Sequence, residues 1–194
     1  MTSSSQYAAI GAHDSLWTGR RVRLRGLEPK EWTRFRDADM ISSNQRHADR
    51  VYPPQSNASY EKWAAERATQ RNSSDDMWLV IADINDDRPV GSITTVRTDL
   101  TAGSFWYGVA VFREDQRRGY ASEAIRIVQR YMFGERRYTK CQAEVYGDNA
   151  ASLGLHQSLG FVLEGRLRKA SFREGSRQDL VIFGMTIEEF RNLR

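Results

Sequence analysis

The sequence predicts one mixed α/β domain, and three observations predict it. Apolar residues recur at strand spacing in three consecutive stretches between Met77 and Phe112, then at helical spacing from Ala121 onward. Strand-like and helix-like stretches interleave without an internal repeat or linker. The 194 residues make one domain of ordinary size. A chain of this length hides roughly 70% of its unfolded surface and needs no disulfide or metal staple.

Residues 1–16 are rich in Ser and Ala without periodicity and read as a mobile tail before a domain spanning 17–194. Val22, Leu24 and Leu27 mark a weak first strand over 21–27. Pro29 suits the first turn of a helix through Trp32, Phe35 and Met40. Residues 41–57 are polar and carry Pro53-Pro54, which predicts a loop or a short broken helix. Ser59 can cap a helix bearing Trp63, Ala64 and Ala68. Strands at 77–84 and 89–96 flank the turn signal Asn85-Asp86-Asp87 and read as a hairpin; 105–112 is the next strand. Ala121, Ala124, Ile125, Val128 and Met132 then fall on one helical face. A strand at 138–146, a helix at 149–159 closed by Gly160, and strands at 161–165 and 179–187 complete the order, the last two joined by an Arg-rich turn near Gly175.

Composition removes several classes of function. One cysteine, Cys141, excludes an intrachain disulfide; with three scattered histidines it argues against a zinc site, so no metal is expected. Cys141 alternates with Ala143 and Val145 and is expected to be a buried, inert thiol. The apolar runs fall short of the ~20 residues that a membrane span needs. The opening M-T-S-S-S-Q-Y lacks a basic segment followed by an apolar one, so the expectation is a cytoplasmic protein. Net charge is +4, yet only four of the 29 basic residues are lysines. Residues 113–140 hold eight basic and four acidic residues, which equals the whole excess. A local site for a phosphorylated small molecule fits this better than a nucleic-acid surface.

The informative stretch is V-F-R-E-D-Q-R-R-G-Y-A-S-E-A, residues 111–124. It runs from a strand end through a short turn into a helix. Such a turn aims unpaired backbone N–H groups at the positive end of a helix dipole, a place for a diphosphate. Gly119 permits close approach of the backbone, and Arg117 and Arg118 add charge. The plain alternative is an ordinary strand-to-helix turn. Neither G-x-x-x-x-G-K nor G-x-G-x-x-G occurs. A second feature is Asn149, Ser152 and His156, spaced to share one helix face. They can line a cleft; alternatively Asn149 is a cap, Ser152 is solvated and His156 packs.

Q-R-R-G-Y-A, residues 116–121, resembles the Q/R-x-x-G-x-G/A acetyl-CoA signature of the GNAT superfamily of N-acyltransferases. The segment 149–161, ending Gly160-Phe161, resembles that family's second motif at the expected distance. The opening R-R-V-R-L-R-G-L-E-P and the ending G-R-L-R-K-A-S-F-R-E-G-S-R-Q-D-L-V-I-F-G-M resemble its ribosomal-protein N-terminal acetyltransferase-like branch. The resemblance implies a single mixed, mostly antiparallel sheet of six or seven strands, flanked by about four helices and splayed open. It implies acetyl-CoA as co-substrate and a small-molecule or peptide amine as acceptor: a protein N-terminus, polyamine, amino acid or antibiotic.

By that resemblance, the backbone of Gln116, Arg117, Arg118, Gly119, Tyr120, Ala121 and Ser122 holds the cofactor pyrophosphate. Val111 pairs with the pantetheine arm, and N–H groups from Val109 to Val111 face the oxyanion. Asn149 and Ser152 touch the pantetheine end. His156 stands where many members carry a tyrosine that reprotonates the thiolate. Glu144 stands where some relatives carry a glutamate that deprotonates the amine. Alkylamines titrate near about 10, so a base or a water leading to one is wanted at pH 7. Glu144 as a solvated strand residue and His156 as a packing residue stay open. Acceptor choice is expected to lie in 37–60, around Trp106 and Tyr107, and in the turn 168–177, with Asp37, Asp39 and Asp49 as attractors of a cation or as solvated charges. Transfer of another acyl group such as succinyl, a CoA-binding protein without turnover, and a homodimer are left open.

Overall fold

The computed structural model describes residues 15–48, 50–71 and 74–193. Most of the expected N-terminal tail therefore lies outside the described residues, as does Asp49. Seven strands form one sheet: β1 (Val22–Arg25), β2 (Trp78–Asp83), β3 (Pro89–Asp99), β4 (Ser104–Val111), β5 (Lys140–Tyr146), β6 (Val162–Arg173) and β7 (Ser176–Thr186). Their order is β1-β2-β3-β4-β5-β7-β6. Only β4 and β5 run parallel; every other pair is antiparallel. The helices are α1 (Trp32–Asp39), α2 (Ser42–Ala48), α3 (Asn57–Thr69), α4 (Tyr120–Gly134), α5 (Ala150–Ser158) and α6 (Ile187–Asn192).

Both faces of the sheet are covered, and this explains why β2 reads as an unbroken apolar run. Leu79 and Ile81 join the core that holds α4, with Ile93, Phe105, Ile125, Val128 and Met132. Val80 and Ala82, one residue out of phase, join the opposite core with Phe35, Ala64 and Phe112. There the edge-on rings of Phe35, Trp63 and Trp78 lock α1 and α3 down. Cys141 is fully buried, and burial pushes its thiol well above its ordinary value. Among the described residues no helix is long and apolar enough to cross a membrane.

Among the described residues there are six helices where about four were expected. The polar stretch 41–57 contains α2, and α6 is too short to show a period. The cap of α3 is Ser56, whose hydroxyl accepts the Ser59 N–H at 3.1 Å, so Ser59 lies inside the helix. Leu27 falls outside β1 and packs in the α1–α3 core. β6 is far longer than expected, β7 starts three residues earlier than expected, and the two meet at a two-residue turn, Glu174-Gly175, with φ of 48° and 74°. β6 is an edge strand, exposed on most of its length, so no burial pattern marked its extent.

One irregularity makes the site. β4 pairs with β5 only from Ser104 to Trp106, opposite Lys140 to Gln142. Beyond that point β4 stays on β3 and β5 stays on β7. The sheet opens into a V, and the N-termini of α4 and α5 lie at its mouth.

Candidate active site

Phe112 N–H donates to Val90 O on β3 at 2.9 Å. Backbone groups alternate sides along a strand, so those of Val111 and Val109 face the opening. Gln116 folds back across it, its Nε2 donating to Val111 O at 3.1 Å. The turn that follows is pinned by Asp115, which is 2% exposed. Arg88 donates to both its carboxylate oxygens, at 2.8 and 2.9 Å, and Arg34 to one at 3.2 Å. A buried carboxylate is tolerated only when paired in this way.

With Asp115 fixed, the chain curls through two left-handed residues, Arg117 at φ 62° and Gly119 at φ 81°. Alternation of this kind makes a concave nest of backbone N–H groups. It opens at the N-terminus of α4, which no side chain caps. The resulting cleft, about 340 Å³, is lined by Val109, Val111, Gln116, Arg117, Gly119, Tyr120, Ala121 and Ser122, with Asn149 and Ser152. These are the expected cofactor residues with one exception. Arg118 turns its side chain away, donating to Glu114 O at 3.3 Å and lying 3.7 Å from Asp115. The Tyr120 ring is buried with its hydroxyl on Asp83. Nearby, Glu123 accepts the N–H groups of Arg20, Arg21 and Val22, at 2.8, 2.7 and 2.9 Å, tying α4 to the start of β1.

A second cleft, about 580 Å³, lies on the β5 side of the opening. It shares Val109, Asn149 and Ser152 with the first, so the two adjoin at these residues. Asn149 caps α5, its Oδ1 accepting the Ser152 N–H at 3.0 Å. Glu144 projects from β5 into this cleft and pairs with Arg97 at 2.8 Å. The Arg97 guanidinium also lies over the Trp106 ring, 5.1 Å from its centroid.

His156 lines the same cleft but is 2% exposed. Its ring is stacked between Tyr107 and Phe183. Nδ1 lies 2.7 Å from Ser152 O, which assigns that nitrogen the proton and leaves Nε2 an acceptor. Burial holds its pKa below the ordinary histidine value. A neutral imidazole of this tautomer accepts protons, and that runs against the thiolate-reprotonating role the resemblance implies. Nε2 and the neighbouring Tyr107 hydroxyl are both buried without a protein partner among the described residues.

The segments expected to choose the acceptor do converge. Asn44 of α2 lines the first cleft, and Trp106 and Ser171 line the second. Arg173 donates to Arg46 O at 2.6 Å, and Arg46 pairs with Glu174 at 3.2 Å, joining α2 to the β6–β7 turn. Asp37 and Asp39 line neither cleft: Asp37 pairs with Arg36, and Asp39 accepts the Tyr60 hydroxyl. Sequence reasoning missed Arg97, which lies at an irregularity of β3 that no local pattern marks.

A family profile described as an acetyltransferase (GNAT) domain matches residues 21–162. The chain belongs to the GNAT acetyltransferases. It is 36% identical over 174 residues to an SPbeta prophage-derived uncharacterized N-acetyltransferase, YokL, of Bacillus subtilis, covering 90% of this chain and 94% of that protein. Two solved structures share the fold. A GCN5-related N-acetyltransferase from Brucella melitensis superposes with a TM-score of 0.74 at 24% identity, over 91% of this chain and 80% of that one. A spermidine N-acetyltransferase from Vibrio cholerae, in complex with CoA and spermine, gives 0.75 at 19% identity, over 90% and 100%. This acetyltransferase therefore carries its open sheet and paired clefts on the fold of its family.

Proposed function

We propose that the chain transfers an acetyl group from acetyl-CoA to a primary amine by direct attack, with both substrates bound at once. The observation that carries this reading is the adjacency of the two clefts, which meet at Val109, Asn149 and Ser152. A thioester reaching the opening from one side meets an amine from the other, and such positioning supplies several kcal/mol.

The first cleft suits the co-substrate. The nest from Gln116 to Ser122 offers backbone donors and the α4 dipole to a pyrophosphate. The edge of β4 beyond Trp106 offers the backbone of Val109 and the N–H of Val111 to the amide arm, with Asn149 and Ser152 opposite. The Val109 N–H serves as a donor to the oxyanion. Glu144 takes the ammonium proton, directly or through water, so that the amine attacks as a neutral nucleophile. The nitrogen then bonds to the carbonyl carbon, the C–S bond breaks, and the surplus proton on the nitrogen passes to the departing sulfur or to solvent, leaving a neutral amide and CoA. A thiol of ordinary pKa near about 8.5 needs little assistance. His156 supports the amine side from behind, its ring buried against Tyr107 and Phe183.

The quoted opening and closing segments support a place in the ribosomal-protein N-terminal acetyltransferase-like branch. Thermal unfolding with acetyl-CoA, CoA and ATP tests the reading. At about 100 times Kd, linkage predicts about 2.7 kcal/mol of stabilisation. That is a Tm rise of roughly 5–10 °C with acetyl-CoA and with CoA and none with ATP. CoA release with an amine panel then tests transfer. Stabilisation without release in any amine marks a binding protein without turnover; no stabilisation overturns the reading.

A further inference from the structure

We propose that the acceptor is an amine bearing a carboxylate beside it, of the α-amino acid type, and that Arg97 reads the carboxylate. This deepens the acetyltransferase reading and rests on it.

The charge of the second cleft is the first argument. Among the described residues, Arg97 and Glu144 are the only formally charged side chains that line it, and they cancel. A polyamine brings several positive charges and requires several free carboxylates. The carboxylates near this cleft are already engaged. Asp148 pairs with Arg173 at 3.0 Å, and Asp179 with Arg166 at 3.2 Å. An ammonium next to a carboxylate matches an Arg–Glu pair charge for charge, with the ammonium on Glu144 and the carboxylate on Arg97.

The second argument is how Arg97 is held. Its backbone sits at φ 50°, in the left-handed region that a non-glycine residue avoids. It falls where the β3–β4 pairing breaks between Val96 and Asp99. The guanidinium is braced on the Trp106 ring and tied to Glu144 through Nη1 alone. Nε and Nη2 have no protein partner among the described residues, and the side chain is 61% exposed. Those two nitrogens form the flat edge that grips a carboxylate in two parallel hydrogen bonds. Trp106, also in the lining, offers aromatic surface to the rest of such a molecule.

The test compares each common L-amino acid with its own amide, and phenylalanine also with phenethylamine, using the full chain, acetyl-CoA and a CoA-release assay. Spermidine is run alongside. For the preferred amino acid, kcat/KM should exceed that of its amide by at least about tenfold. Arg97→Ala should bring this ratio close to one, chiefly through KM, and Arg97→Lys should restore part of it. Turnover of spermidine above every amino acid, an amide used as well as its acid, or a ratio unmoved in Arg97→Ala overturns the proposal while leaving the transferase reading intact. Release with no acceptor at all overturns the transferase reading instead. Titration of the same acid and amide pairs into CoA-saturated protein, read by tryptophan fluorescence, then decides the Arg97 assignment. Tighter binding of the acid, lost in Arg97→Ala, supports it, and equal affinity overturns it.

Discussion

The cleft at the head of α4 is made of backbone, and the cleft beside β5 is made of side chains. In the first, one stretch from Val109 to Ser122 supplies most of the wall, with Arg117 and Gly119 in left-handed conformations and a helix dipole behind them. In the second, β3 brings Arg97, β4 brings Trp106, β5 brings Glu144, α5 brings His156 and β6 brings Ser171. A backbone site tolerates side-chain change and binds an invariant group. A side-chain site can be rebuilt one residue at a time and so can select its ligand. On the function proposed above, the backbone cleft carries the chemistry common to the family and the side-chain cleft carries specificity.

The contrast can be broken most severely at Gly119. Gly119→Trp should abolish the Tm rise with acetyl-CoA in a chain that still folds. Its backbone at φ 81° costs a non-glycine residue about 1–2 kcal/mol, and its side chain must displace Arg21. An unchanged rise would remove the pyrophosphate site from this turn. Glu144→Gln comes next. Turnover should fall about 100-fold, while the Tm rise with acetyl-CoA stays, because only the second cleft is touched. Retention of full turnover from pH 6 to 9 would take the base away from Glu144.

Smaller effects sharpen the boundary between the clefts. His156→Phe should lower turnover by less than about tenfold, the outcome expected of a buried ring that packs. The same variant reports on pH. Burial keeps the His156 pKa below its unfolded value of about 6.5, so the unfolded chain takes up a proton that the folded chain refuses. Stability should therefore fall as pH drops below about 6.5, and His156→Phe should lose that part of the slope in unfolding measured at pH 5 and 7.5. Asn149→Ala should be mildest, costing about 1 kcal/mol through loss of the α5 cap. Asn149→Asp should restore the cap, so acetyl-CoA binding in the two variants separates capping from ligand contact.

Much of the first cleft was legible in the chain itself because its parts are local. A strand, a turn with Gly119 and an amphipathic helix follow one another within 31 residues, and their geometry depends on their own order. Arg118 is the exception, since Asp115, held inside by Arg88 and Arg34, decides where that side chain turns. The second cleft was legible only as separate suspects. Glu144, His156 and Trp106 were visible as residues, yet nothing near them in the chain points to Arg97, 47 positions away from its partner.

The sequence by itself determined the mixed domain, the order of its strands along the chain, the anion-ready turn into α4 and the inert Cys141. Each follows from periodicity, turn chemistry or residue count, which act over a few neighbours. Tertiary structure alone decided the splay between β4 and β5, the tautomer and burial of His156, and the meeting of Arg97 with Glu144. These depend on how strands pair across the sheet, where β4 follows β3 and β5 follows β7, and pairing is settled by packing between segments far apart in the chain.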